Sequence, residues 1–341
     1  MQRILVVMPN WFGETLFATP LLRALREQRR DALITTLGRP RCGEVLTHNP
    51  HVDTLMDYDE QGRHRHLLGQ WRLVRELRAQ QFDTAFVLRK SLSRTLLLAL
   101  AGIPVRVGFA NPKSGWLLTH RMRPSTASMH KASTYLPLLE AVGLAVVPGP
   151  YEYTVGEEER RWAREWLGAQ RARNGRPLIA LHPGANWWHK RWSPERFAAL
   201  ADRLSEIHRI QVAITGGPDD VGLARDMTQR MRHPAMVLAG QTTLRQLAAL
   251  LEQIHLVIAN DTGVLHIAAA LGRPVVALYG PTSPQLTGPL GDPQRTTVLH
   301  HAGCCPRIPC FRAAHPPHPG MDAITVDEVY TAATQLLNTC S

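Results

Sequence analysis

The stretch Val257–Thr282, VIANDTGVLHIAAALGRPVVALYGPT, constrains the fold more than any other part of the chain. An apolar run around Val257-Ile258 stops at Asn260-Asp261-Thr262-Gly263, helical periodicity begins at once and ends at Gly272, and Pro274 opens a second apolar run, VVALY. A strand, a tight turn, a short helix and another strand in so short a span form a βαβ unit, whose strands must be parallel. Such a unit aims the free N–H groups of its helix N-terminus at the carboxyl edge of the sheet, where anions bind. Thr262 suits the cap position, and His266 lies four residues on, one turn up the same face. Asp261, Thr262, Gly263 and His266 then converge on one spot that suits a nucleotide diphosphate. An ordinary turn with a capping Thr and a packed His has the same sequence, so the turn alone leaves both readings open.

Similar units recur along the chain. Arg3–Met8 reads as a strand, PNWFGET as a loop, Leu16–Gln28 as a helix, and strand and helix signals alternate through Ala32–Leu37, Thr54–Tyr58, Leu67–Gln80 and Thr84–Leu88. Glu157–Leu167 is a charged helix that bridges two halves, broken by the linker-like Asn174-Gly175-Arg176-Pro177. A second alternation starts at LIALHP, continues through a Ser193-Pro194-Glu195 helix start and the strand Gln211–Thr215, and reaches the opening unit by way of a helix over Thr242–Glu252. After about Asp292 the pattern fades into a Cys-, His- and Pro-rich segment, and a final helix starts near Val326. The expected fold class is α/β: two Rossmann-like doubly wound domains facing across a cleft. The expected boundaries are 1–170 and 177–325, with a closing helix, 326–341, free to pack back on the N-terminal domain. Two familiar enzyme types share that plan, nicotinamide dehydrogenases and nucleotide-sugar transferases of the GT-B type. The first strand runs into Pro9-Asn10-Trp11-Phe12-Gly13-Glu14, not into G-x-G-x-x-G, which counts against the dehydrogenase.

Charge adds a partner. Residues 1–150 hold 20 Lys and Arg against 11 Asp and Glu, whereas residues 151–341 hold 19 against 17. The N-terminal half therefore attracts a polyanion: nucleic acid, an anionic membrane surface or a phosphorylated acceptor. The chain lacks the basic stretch interleaved with aromatics of a single-strand binder, which argues against nucleic acid. No apolar run approaches the roughly 20 residues of a membrane span, and ILVVM is too short for a signal peptide, so a cytoplasmic location is expected. The five cysteines form no regular disulfide framework, in keeping with a reducing compartment. Cys304, Cys305 and Cys310 with His300, His301, His315 and His318 invite a zinc reading, but the CC-x4-C spacing lacks the C-x2-C pair of a structural site, and no metal is expected.

Glycosyl transfer from a nucleotide sugar needs a base for the acceptor hydroxyl and cations or N–H dipoles for the departing diphosphate. Glu14 is the only carboxylate in the first 26 residues and follows the first strand. It serves either as that base or as an early acid on the helix that follows. In the loop Gly184-Ala185-Asn186-Trp187-Trp188-His189-Lys190-Arg191-Trp192, Gly184 permits close backbone approach, Lys190 and Arg191 can pair with phosphate, and the three Trp can wall a cleft. The other reading is a solvated Lys-Arg pair with packed tryptophans. Gly216 and Gly217, at the end of the Gln211–Thr215 strand, let the backbone approach a base or ribose.

These residues carry a resemblance. NDTGVLHIAAALGRPVVALYGPT is similar to the signature of glycosyltransferase family 9, the ADP-heptose:lipopolysaccharide heptosyltransferases. ILVVMPNWFGETLFATPLLRAL resembles the start of that family, in its heptosyltransferase II branch, and HPGANWWHKRWSPERF also matches. The resemblance implies a GT-B fold and metal-independent, inverting transfer without a cofactor. It implies ADP-L-glycero-D-manno-heptose as donor and the lipopolysaccharide inner core as acceptor, at the cytoplasmic face of the inner membrane. By position, Glu14 takes the place of the catalytic base, where the family usually carries Asp, and Lys190 that of the phosphate-binding lysine. Asp261, Thr262, Gly263 and His266 fall on the donor turn. The acceptor's carboxylates and phosphates then account for the charge of the N-terminal half. Gly13 and a basic surface drawn from Arg63, Arg65, Arg89, Lys90, Arg94, Lys113, Arg121 and Arg123 are expected to meet them, in a chain that acts as a monomer. The competing expectations are a nucleotide-sugar epimerase on the same scaffold and a non-catalytic anion-binding protein.

Overall fold

The computed structural model describes residues 1–124, 129–170, 176–304, 308–310 and 318–339, in two compact units, Met1–Thr154 and Val155–Ser341. The first unit holds β1 (Arg3–Val7), β2 (Leu33–Gly38), β3 (Thr54–Asp57), β4 (Thr84–Val87), β5 (Val105–Phe109) and β6 (His120–Met122), in the order β3-β2-β1-β4-β5-β6. The second holds β7 (Leu178–His182), β8 (Gln211–Ile214), β9 (Met236–Val237), β10 (Leu256–Asn260), β11 (Val275–Tyr279) and β12 (Thr296–His300), in the order β12-β11-β10-β7-β8-β9. Every pairing in both sheets is parallel. The two orders describe one topology. Each unit starts on a central strand, steps outward twice, then returns to pair its fourth strand on the other side of the first. That reversal leaves a switch point between β1 and β4 and another between β7 and β10, and ligands of doubly wound sheets bind at such points, beyond the carboxyl ends of the strands.

The apolar runs reflect helices on both faces of each sheet. In β1, Ile4 and Val6 pack with Leu21, Leu22 and Leu25 of the Thr19–Gln28 helix. Leu5 and Val7 face the other way, against Leu73, Val74 and Leu77 of the Leu67–Ala79 helix and Leu97 and Leu98 of the Leu92–Leu100 helix. Each such side chain contributes about 1.5–3 kcal/mol on full burial, so β1 anchors the unit and fixes where the chain that follows it leaves the sheet.

Four elements differ from expectation. The helix expected over Leu16–Gln28 is two, Phe12–Phe17 and Thr19–Gln28. Pro20 forces the break, because proline fits a helix only in its first turn. The first of the two starts at Phe12, which puts Glu14 in its first turn and not in a loop. The faded segment after Asp292 contains β12, a half-buried edge strand of Thr, Val, Leu and His without a clear apolar alternation. The charged helix, Glu157–Ala169, clusters with the second unit, where Arg160 binds Glu252 through two bonds (2.8 and 3.0 Å) and Arg245 binds Glu159 (2.7 and 2.6 Å). Of the expected linker, residues 174 and 175 lie outside the described residues. The closing helix, Val326–Thr339, packs on its own unit: Val329, Ala332, Ala333 and Leu336 join the core of β10, β11 and the Pro194–His208 helix.

Candidate functional site

At the second switch point, the loop after β7 and the turn after β10 are tied together by Asn260. This fully buried side chain accepts from Trp192 N (3.1 Å) and donates to the Pro183 carbonyl (2.8 Å). Trp192 is itself core: its indole N–H donates to the Ile324 carbonyl (2.9 Å) and its ring meets Phe197 edge-on. Of the three tryptophans expected to wall a cleft, Trp192 is thus an anchor, and only Trp187 and Trp188 are exposed. One residue on, Ser193 caps the Pro194–His208 helix, accepting from Arg196 N. The loop is pinned at both ends, which fixes Lys190 between them.

Lys190 Nζ donates to Asp261 Oδ2 at 2.6 Å, and Thr282 Oγ1 donates to the same oxygen at 2.7 Å. His266 Nε2 stands 3.7 Å from Asp261 Oδ1, and Thr262 caps the Gly263–Ala270 helix as expected, accepting from Leu265 N. The residues expected to converge do so, around a carboxylate only 7% exposed. Burial alone raises the Asp261 carboxyl; the neighbouring His266 and the Lys190 ammonium outweigh it and hold the group well below the usual carboxylate range. Asp261 is therefore ionised at any physiological pH. It uses one of the three ammonium donors of Lys190, which leaves donors for a phosphate.

Beside it lies a cluster that the sequence did not announce. A Cβ on Gly184 would stand 2.5 Å from Asp220 Oδ2, and one on Gly216 2.7 Å from Asp220 Cβ. Gly217 N donates to the same carboxylate at 3.0 Å. Gly184 and Gly216, read as openings for a ligand, are crowded first by the Asp220 side chain, whereas a Cβ on Gly217 would meet it only at 3.9 Å. Arg191 donates twice to the Ala185 carbonyl (3.1 and 2.9 Å) and stands 3.7 Å from Asp220, so it braces the loop that carries Lys190. His182, buried at the end of β7, pairs with Thr215 Oγ1 at 2.9 Å, and burial pulls its pKa from 6.5 to about 4. A neutral native histidine opposes an unfolded one that protonates near 6.5, so its contribution is complete above that value and is lost as pH falls toward 4. Its size is roughly 3 kcal/mol. Urea unfolding of His182→Asn across that window is expected to show a flatter rise of stability with pH than the parent chain.

At the first switch point Glu14 follows β1, with its Oε1 3.8 Å from Lys131 Nζ. The intervening chain is held by Arg94, which was expected on the acceptor surface but is 1% exposed. Its guanidinium donates to the Met8 carbonyl (2.8 Å) and Asn10 Oδ1 (2.6 Å), pairs with Glu60 (3.2 Å) and lies 5.2 Å from the Tyr58 ring. Arg94→Leu leaves Met8 and Asn10 without their donor, while Glu60 keeps Arg39 at 3.1 Å. Loss of about 3 kcal/mol is expected, toward the low end for a broken buried pair, measurable by denaturant unfolding. Arg63, Arg65, Arg89, Lys90, Lys113, Arg121 and Arg123 are exposed as expected. Arg89-Lys90 follow β4 directly and so share the switch point with Gly13 and Glu14. Beyond β5 an open pocket of about 450 Å³ is lined by Ala110, Asn111, Pro112, Gly115, Trp116 and Arg121.

The sequence profile of glycosyltransferase family 9 (heptosyltransferase) matches residues 70–314. The chain belongs to this family. It is 30% identical over 312 residues to lipopolysaccharide heptosyltransferase 2 of Escherichia coli K12, covering 87% of this chain and 88% of that protein. Lipooligosaccharide heptosyltransferase 2 of Haemophilus influenzae is also 30% identical, over 319 residues, with the same shares covered. Among solved structures, a family 9 glycosyltransferase from Veillonella parvula aligns with a TM-score of 0.88 at 26% identity, over 99% of this chain and 97% of that one. The E. coli ADP-heptose lipopolysaccharide heptosyltransferase II aligns with a TM-score of 0.82 at 26% identity, over 99% of each. The fold is of the GT-B type, and this family 9 member is a glycosyltransferase.

The described part of the Cys- and His-rich segment reaches the loop before Thr282, where Cys310 N donates to the Pro281 carbonyl at 2.7 Å. Cys305 and His315 lie outside the described residues. His301 pairs with Glu328 (3.0 Å) and His318 caps the Pro319–Asp322 helix. Among the described residues no group of three or more His, Cys, Asp or Glu is placed to hold a metal ion.

Proposed function

We propose that the chain transfers L-glycero-D-manno-heptose from ADP-heptose to the inner core of lipopolysaccharide, with inversion at the anomeric carbon. The observation that carries this reading is the Lys190–Asp261 pair at the mouth of the Gly263–Ala270 helix. It sets a cation beside a helix N-terminus, at the carboxyl edge where a diphosphate binds. The likeness to the E. coli and H. influenzae heptosyltransferases supplies the sugar and the acceptor.

Glu14 takes the proton of a core-sugar hydroxyl. The oxygen attacks the anomeric carbon from the side opposite the leaving group, and the bond from that carbon to the β-phosphate oxygen breaks. ADP departs with the electron pair, its new charge met by Lys190 and by the N–H groups behind Thr262 and Gly263. The diphosphate is its own leaving group, and Lys190 takes the place a metal ion holds in other transferases, so no cofactor is required. Asp261 and Thr282 keep Lys190 in position, His266 supports Asp261, and Gly184, Arg191, Gly216 and Gly217 shape the loops around the donor. Gly13, Arg63, Arg89, Lys90 and Lys113 face the anionic acceptor. That acceptor is lipid-linked, so the enzyme works peripherally attached to the cytoplasmic side of the inner membrane, and the reading takes it to act as a monomer. No helix among the described residues is long and apolar enough to cross a membrane.

Calorimetric titration with ADP-heptose and with UDP- and GDP-sugars tests the donor. ADP-heptose is expected to bind at least about tenfold more tightly, a difference of 1.4 kcal/mol; equal affinities would remove the nucleotide assignment.

A further inference from the structure

The Leu67–Ala79 helix buries Leu73, Val74 and Leu77 against the first sheet, and Gly69 against the backbone of Arg63 and His64. Its opening turns nevertheless leave Leu67, Leu68 and Trp71 83%, 77% and 52% exposed. A single exposed apolar side chain is ordinary, whereas three large ones within five residues form a patch. Residues 61–79 also hold five arginines and one acid, Glu76. The exposed Arg65, Arg72 and Arg75 flank the patch in sequence.

Position adds to composition. The helix starts beyond the carboxyl end of β3, on the edge of the sheet that also carries Glu14. The Leu92–Leu100 helix packs beside it on the same sheet face and starts at the same edge, with exposed Leu92 preceded by Arg89-Lys90. Two adjacent helix tips therefore present apolar side chains among cations.

A second copy of the chain is a poor partner for this face, because a symmetric contact would set five arginines against five more. An anionic bilayer satisfies both features. Its headgroup boundary accepts leucine and tryptophan, and its phosphates attract arginine. We infer that the first unit docks on anionic phospholipid bilayers through the N-terminal turns of the Leu67–Ala79 helix. Leu67, Leu68 and Trp71 enter the boundary region, and Arg65, Arg72 and Arg75 lie over lipid phosphates. The inference rests on the membrane attachment proposed above and names the surface responsible.

Flotation with vesicles of phosphatidylglycerol and phosphatidylethanolamine, with neither donor nor acceptor present, tests it. The chain is expected to float with these vesicles at low salt and to stay behind with pure phosphatidylcholine. Leu67→Ser/Leu68→Ser/Trp71→Ser is expected to lower partitioning at least about tenfold, since it removes most of the inserted apolar surface. The variant should keep its melting temperature and its kcat on a deacylated, water-soluble acceptor; if it fails to fold, Trp71→Ser alone is read in its place. Arg72→Glu/Arg75→Glu is expected to weaken binding and flatten its salt dependence. A triple variant that floats like the parent would overturn the inference. So would a parent chain that ignores anionic vesicles, or one that forms a dimer dissolved by the triple variant. Because the vesicles carry no sugar, the flotation results stand apart from heptosyl transfer itself.

Discussion

Glu14→Gln is expected to lower kcat roughly 100- to 10,000-fold, the span of general-base catalysis, while ADP-heptose binding is unchanged. The substitution keeps the size and polarity of the side chain and its place in the first turn of the Phe12–Phe17 helix. It removes only the capacity to accept a proton. Glu14 is partly exposed, and its ion pair among the described residues is the 3.8 Å contact with Lys131, so the melting temperature should hold. Glu14→Asp retains the carboxylate but draws it back by about 1 Å, enough for a loss of up to about 100-fold where geometry is tight. The order Glu, then Asp, then Gln in kcat, at constant donor affinity, distinguishes a base from an acid that merely complements a helix dipole. Single-turnover measurement with calorimetry of ADP-heptose separates the two quantities.

Lys190→Met should act on both binding and stability. Loss of a charge-assisted bond to phosphate, worth about 1.5–3 kcal/mol, raises the donor Kd roughly 10- to 100-fold. The same change strips Asp261 of its closest cation, and a buried carboxylate short of a partner destabilises the second unit. Thr282 and His266 remain, so the loss should stay below that of an isolated buried charge. The double variant Lys190→Met/Asp261→Asn resolves the two effects. Replacing the carboxylate by a neutral amide relieves the stranded charge, so stability should recover toward that of Asp261→Asn alone, whereas donor affinity should not recover at all. Parallel recovery of both would mean that Lys190 serves the fold and not the diphosphate. Lys190→Arg is no control, because a planar guanidinium does not fit a site built for a compact ammonium.

The parts legible in the sequence are those set by local chemistry. The turn after β10 was readable because capping, glycine and apolar periodicity all lie within a few residues of one another. The same holds for the Leu67–Ala79 and Pro194–His208 helices. Glu14 and Lys190 were legible because each follows an apolar strand, and strand ends are where such sheets place ligands. What was hidden depends on contacts across long separations. Thr282 meets Asp261 from 21 residues away, Asn260 reaches Trp192 across 68, and Arg94 reaches Met8 across 86. No local pattern marks such partners. Arg94 looked like a surface cation because arginine usually is one, and only the fold supplies the carbonyl, the amide and the carboxylate that permit its burial. Gly184 and Gly216 show the reverse error: the need for a missing side chain was legible, but the neighbour that imposes it, Asp220, was not. The edge strand β12 escaped because half-buried threonine and histidine carry little periodic signal.

The exposed leucines of the Leu67–Ala79 helix belong to a third kind. The helix was legible, but no local pattern separates the apolar residues at its start from its core-facing stripe. Only burial shows that Leu73, Val74 and Leu77 complete the core without Leu67, Leu68 or Trp71. A helix start that spends apolar surface on solvent, on a chain whose N-terminal half is strongly basic, points away from the core and toward a partner.

Mass spectrometry of a purified inner-core acceptor after incubation with ADP-heptose tests the central claim most directly, with a parallel incubation that omits the acceptor. The account predicts an acceptor heavier by one heptose, one ADP released for each heptose transferred, and a donor left intact when the acceptor is missing. Conversion of the donor to an isomer without any acceptor, or an acceptor of unchanged mass under conditions where ADP-heptose binds, would contradict it.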